Sequence, residues 1–179
     1  AASESLFRLS LVSDLIRQML LLLLVLFLYQ LFKPVNKDIA LLMVLCALVG
    51  VAIAMINELN HFAVLQLASG AGYLTAFNAD QSNALVIFFL ELRNYGTFIA
   101  QLFAVWVLLL GYLVFKSGFL PKMLGIWLML GGLSYVVAAV LFFLLPNFDG
   151  MILGLFAFIG ELLFYLWLLV MGVKEQKSA

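Results

Sequence analysis

Asn57, Glu58, Asn60 and His61 crowd into five consecutive positions of a stretch otherwise made of apolar side chains. Spacings of three and four put Asn57, Asn60 and His61 on one helical face, with Glu58 three residues before His61. Glu91, Asn94 and Tyr95 repeat the pattern, with Arg93 among them and Gln101 two turns deeper than Asn94. Asp14, Arg17 and Glu161 stand in two further apolar runs. Charges near hydrocarbon cost several kcal/mol unless they are paired or wetted. Three kinds of chemistry suit these residue types. Arg17 and Arg93 can pair with the acids, giving an ion-pair and amide network that fixes helix register. Asp14, Glu58, Glu91 and Glu161 can converge on a hard cation. Ser13, His61 and a carboxylate can form a nucleophile, base and orienter. The pairing reading is favoured. His61 lacks a His or Cys companion, so no metal is expected, and no catalytic residue or cofactor is assigned.

These residues need elements to hold them, and the composition names the kind. With 67% of its 179 residues hydrophobic and only 10% charged, the chain has the make-up of an integral membrane protein. Equal numbers of basic and acidic residues leave no patch for nucleic acid. Membrane lipids are the expected partners, together with further membrane-protein subunits. Cys46, the sole cysteine, lies in an apolar run and reads as a packing residue.

Five transmembrane helices are expected in an all-α bundle forming a single domain over 1–179, at about 6–32, 38–69, 81–115, 121–145 and 151–173. Each exceeds the roughly 20 residues needed to cross a bilayer. Ser5 and Asp38 are the expected N-caps of the first two, Pro34 stops the first, and Pro121 opens the fourth. The second and third are overlong. They contain no Pro at Asn57 or Asn94, so tilt is expected rather than a break. Gly125, Gly131 and Gly132 in the fourth suit close helix packing, and Gly150 and Gly154 form a small-xxx-small pattern read as packing within the bundle. Trp106, Trp127 and Trp167 read as ordinary membrane aromatics. Gly70-Ala-Gly72 lacks the preceding strand and basic residue of a nucleotide loop.

Single crossings place Lys33, Lys37, Lys116, Lys122, Lys174 and Lys177 on one side, expected to be cytoplasmic. Counted along the helices, Asn57 and Glu58 lie about 30 Å from Lys37, Asn94 about 33 Å from Lys116 and Asp14 about 28 Å from Lys33. Glu161 is about 20 Å from Lys174, nearer mid-membrane. The polar residues thus gather toward the face opposite the lysines.

Several motifs together resemble a family catalogued as domain of unknown function 4386. They are Ala2-Ser-Glu-Ser-Leu-Phe-Arg8, Val12-Ser-Asp-Leu15, Lys33-Pro-Val-Asn-Lys37, Asn57-Glu-Leu-Asn60, Asn94-Tyr-Gly96, Gly111-Tyr-Leu-Val-Phe-Lys-Ser-Gly-Phe-Leu-Pro121 and Gly160-Glu161. The resemblance covers essentially the whole chain. It implies a multi-pass helical protein of a prokaryotic cytoplasmic membrane, with a further helix upstream of Ala1. Arg93 departs from the pattern, which often has His before Asn-Tyr-Gly.

Three functions follow, in order. The first is a structural or accessory membrane component whose polar level locks helices. The second binds or carries a small polar ligand or ion among Asp14, Arg17, Asn57, Glu58, Asn60, His61, Glu91, Arg93, Asn94 and Glu161. The third is an intramembrane enzyme. No internal repeat or broken helix argues for a carrier.

Overall fold

The computed structural model describes residues 2–69, 76–145 and 148–172. The expected Gly70–Gly72 turn, Pro146, Lys174 and Lys177 lie outside them. The described residues form six helices in order: α1 Ala2–Phe32, α2 Lys37–Ala68, α3 Ala79–Leu102, α4 Val105–Ser117, α5 Lys122–Leu144 and α6 Met151–Met171. Five stretches are long and apolar enough to cross a membrane, with α3 and α4 together forming the third. The chain is an all-α helical bundle with the build of a multi-pass membrane protein.

Local chemistry sets the boundaries. Pro34 lacks the N–H a helix would need, and α1 stops at Phe32. Its start at Ala2 puts Ser5 inside the helix, not at its cap. Asn36, rather than Asp38, caps α2, its Oδ1 accepting from the Ile39 amide at 3.0 Å. Asp38 instead sits in the first turn, where a negative charge suits the helix dipole. Asn78 and Gln81 cap α3 reciprocally. Gly118 closes α4 in the left-handed region at φ 73°, which a Cβ would resist. Pro121 opens α5.

The third span is broken, contrary to the uninterrupted helix expected. Phe103 and Ala104 donate to Ala100 and Gln101 at 3.0 Å, and Trp106 and Val107 to Phe103 and Ala104 at 3.2 and 2.9 Å. These three-residue steps are a tightened turn, which substitutes shorter bonds for the regular ladder and so needs no proline. Its position follows from packing. α3 leans mainly on α2, whereas α4 packs most closely on α5 and also touches α2 and α1. The turn lets one span change partners.

An apolar cluster fills the lysine end, with Phe32, Met43, Leu110, Leu113, Leu128 and Phe164 fully buried at its centre. Phe32 and Phe119 stack there with centroids 5.8 Å apart. The polar residues stand at the other end of the bundle, above this plug.

Candidate functional site

Seven of the ten sequence-derived residues meet between α1, α2 and α3. Glu58 and His61 are buried one turn apart on α2, with His61 Nδ1 3.1 Å from Glu58 Oε2. The edge of Phe7 packs on the imidazole with centroids 4.2 Å apart, holding the ring against α1. Arg93 reaches across from α3: one terminal nitrogen lies 3.2 Å from Asp14 Oδ2 and 3.6 Å from Glu58 Oε1. Arg17 takes the other Asp14 oxygen at 3.5 Å, while its side chain stays 64% exposed. Arg93 is therefore the hub of the ion pairs.

Asn57 fastens α2 to α3 beside this hub. Its Nδ2 donates to the Arg93 carbonyl at 2.9 Å and to Thr97 Oγ1 at 3.3 Å. Asn60 donates to Asn57 Oδ1 at 2.9 Å. Gly96 makes the contact possible, since a Cβ there would collide with the Asn57 amide.

Glu91 and Asn94 do not join. Both are exposed, and Glu91 lines a separate hollow with Tyr95 and Phe142 at the α3–α5 edge. The helix presents Arg93, Thr97 and Gln101 inward instead, a stripe at four-residue spacing. Glu161 stands apart from the ion pairs, accepting from Tyr165 Oη at 3.3 Å.

Two cavities connect these groups. The smaller, about 270 Å³, is lined by Arg17, Gln18, Asn57, Glu58, Arg93 and Thr97, among others. The larger, about 540 Å³, contains Glu161, Tyr135 and Tyr165. They share Arg17, Leu21, Gln101, Ala104 and Trp106, so the helix break forms their common wall. Gln101 Oε1 and Arg93 Nε are buried without a hydrogen-bond partner among the described residues.

Sequence reasoning gave no role to Gln18, which is only 3% exposed, nor to Thr97, Tyr135, Tyr165 or Trp106. Gln18 lies four residues after Asp14 and Thr97 four after Arg93, a signal that was readable. Trp106, grouped with the interfacial aromatics, is instead buried beside both cavities.

Donor atoms of Asp14, Glu58 and His61 lie within 4.8 Å of one another, a set able to hold a metal ion. The companions of His61 are carboxylates from another turn and another helix, which a search for neighbouring His or Cys overlooks. The Arg93 guanidinium already supplies positive charge to both carboxylates.

The profile of the family described as Domain of unknown function (DUF4386) matches residues 1–172. The chain belongs to the DUF4386 family. An uncharacterized protein of Archaeoglobus fulgidus is 30% identical over 155 residues, covering 82% of this chain and 74% of the relative. No solved structure matches. The DUF4386 match thus takes in every helix that builds the ion-pair hub and both cavities.

Proposed function

We propose that this membrane protein binds a small polar solute in the two adjoining cavities, entering from the face opposite the lysines. The shared wall of Arg17, Gln101 and Trp106 carries this reading, because it sets polar groups between a charged chamber and a mostly apolar one. Buried polar groups that serve only to lock helices are expected to be fully paired. Gln101 is not, and Arg17 remains largely exposed. The break beside them supports the reading, since interrupted helices at membrane depth are characteristic of solute sites. The accessory role ranked first by sequence therefore falls behind ligand binding, and no nucleophile geometry promotes an enzyme.

A panel of amines, amino acids, carboxylates and sugars should include compounds that raise the melting temperature of the purified protein. Gln101→Leu should weaken their binding about tenfold, the worth of one hydrogen bond of about 1.4 kcal/mol, without altering the unliganded melting temperature. A panel without a single stabilising compound, or a Gln101→Leu variant that binds unchanged, would count against a solute site.

The orientation belongs to the same proposal. Lys33, Lys37, Lys116 and Lys122 flank one end of the bundle, as a cytoplasmic face of a prokaryotic inner membrane requires. A cysteine replacing Ser117 should resist a membrane-impermeant thiol reagent in intact cells and react after lysis. Labelling before lysis would invert the topology.

A further inference from the structure

The larger cavity has a chemistry of its own. Glu161 is its carboxylate: Tyr165 donates to it at 3.3 Å, and Tyr135 lines the same cavity. No Lys, Arg or His forms an ion pair with Glu161 among the described residues. Arg17 also lines this cavity, and its guanidinium is taken up by Asp14 at 3.5 Å. Trp106, Tyr135, Phe158 and Tyr165 supply four aromatic walls from three helices.

A carboxylate surrounded by apolar side chains is costly without a counter-ion, so an entering cation is favoured. Aromatic faces carry negative charge density and attract ammonium groups within about 6 Å, while the alkyl substituents meet apolar surface. A hard metal ion suits the cavity less well, because it seeks about six oxygen ligands and the walls offer one carboxylate, two hydroxyls and the Gln101 amide. The volume falls in the range of roughly 300–1,000 Å³ usual for small-molecule sites. The geometry points to an organic-cation site in which Glu161 is the counter-ion and Trp106, Tyr135, Phe158 and Tyr165 enclose an alkylammonium group. This rests on the reading that the adjoining cavities bind a solute.

An ammonium group can belong to a free solute or to a lipid headgroup. Glu161 lies ten residues into α6, about 15 Å from its start and below headgroup level, which favours the free solute.

The test uses the protein in nanodiscs of phosphatidylglycerol, whose headgroup has no amine. The probes are tetramethylammonium and tetraethylammonium, with tert-butanol and pivalate as neutral and anionic counterparts. The two cations should raise the melting temperature and protect Glu161 from a hydrophobic carbodiimide, read by peptide mass spectrometry. Glu161→Gln should abolish the shift, and Tyr135→Phe should weaken it severalfold. Should Glu161→Gln fail to fold, carbodiimide protection of the unaltered protein decides. Cation shifts that survive Glu161→Gln, or an absence of protection, overturn the assignment. Binding of tert-butanol or pivalate without the cations overturns it too, yet leaves solute binding standing; silence from every compound here and in the wider panel removes both. Protection already complete in phosphatidylcholine without added cation would assign the site to a lipid headgroup and refute the free solute.

Discussion

Replacing Arg93 by Met is expected to destabilise the bundle by about 3 kcal/mol, the lower end of what breaking a buried ion pair costs, because Arg93 keeps partial exposure. The variant leaves Asp14 and Glu58 facing each other, with the exposed Arg17 beside Asp14 and His61 beside Glu58. Two neighbouring carboxylates without their bridging cation repel, and the Glu58 side chain, 10% exposed, has little access to water. Charge, rather than shape, should account for the loss. Adding Asp14→Asn to Arg93→Met is therefore expected to restore part of the stability, a coupling that thermal melts of the four proteins in a double-mutant cycle would measure. Zinc should also stabilise the single variant more than the unaltered protein, since Asp14, Glu58 and His61 present converging donors once the guanidinium is gone. Purely additive melts with no zinc response would mean that Arg93 acts through packing.

Gly125→Ala should be more damaging than its one added methyl suggests. A Cβ at Gly125 would lie 2.7 Å from the Gly111 carbonyl oxygen and 2.7 Å from the Phe115 amide nitrogen. Both are backbone atoms of α4, so no rotamer change relieves the clash and the helices must separate. Overpacking of this kind costs about 1–3 kcal/mol, and Gly125→Leu should prevent folding altogether. Gly154→Ala is the internal control, because a Cβ there meets open space and should leave the melting temperature unchanged or slightly raised. Equal effects at the two positions would show that helix flexibility, rather than contact between α4 and α5, decides the outcome. The open space around Gly154 also corrects the expectation that Gly150 and Gly154 pack together inside the bundle; Gly150 alone is close-packed, against the Phe98 ring.

Residue types and spacing determined much of this protein without help from tertiary contacts. Long apolar runs fix five spans because backbone polar groups in lipid must be satisfied within helices. Pro34 and Pro121 mark boundaries because of their missing N–H and fixed φ. Depth counting brought Asp14, Asn57, Glu58 and Asn94 to one level, because rise per residue is constant along a helix.

Rotation about the helix axis was legible only in part. The helix α3 carries two polar stripes, one through Glu91 and Asn94 and one through Arg93, Thr97 and Gln101, and periodicity alone cannot choose between them. Asn57 on α2 chooses, by bonding the Arg93 carbonyl and Thr97. The break at Phe103 and Ala104 has no local signal, since it arises where one span passes from α2 to α5. Glu161, counted nearer mid-membrane, likewise appeared as a partner for Arg17 or Arg93. Only the separation of α6 from the Asp14–Arg93–Glu58 hub left it with hydroxyls and aromatic rings for company. The sequence determines what each helix carries and how deep it lies; which groups finally face one another is a property of the assembled bundle, because it depends on contacts no single helix contains.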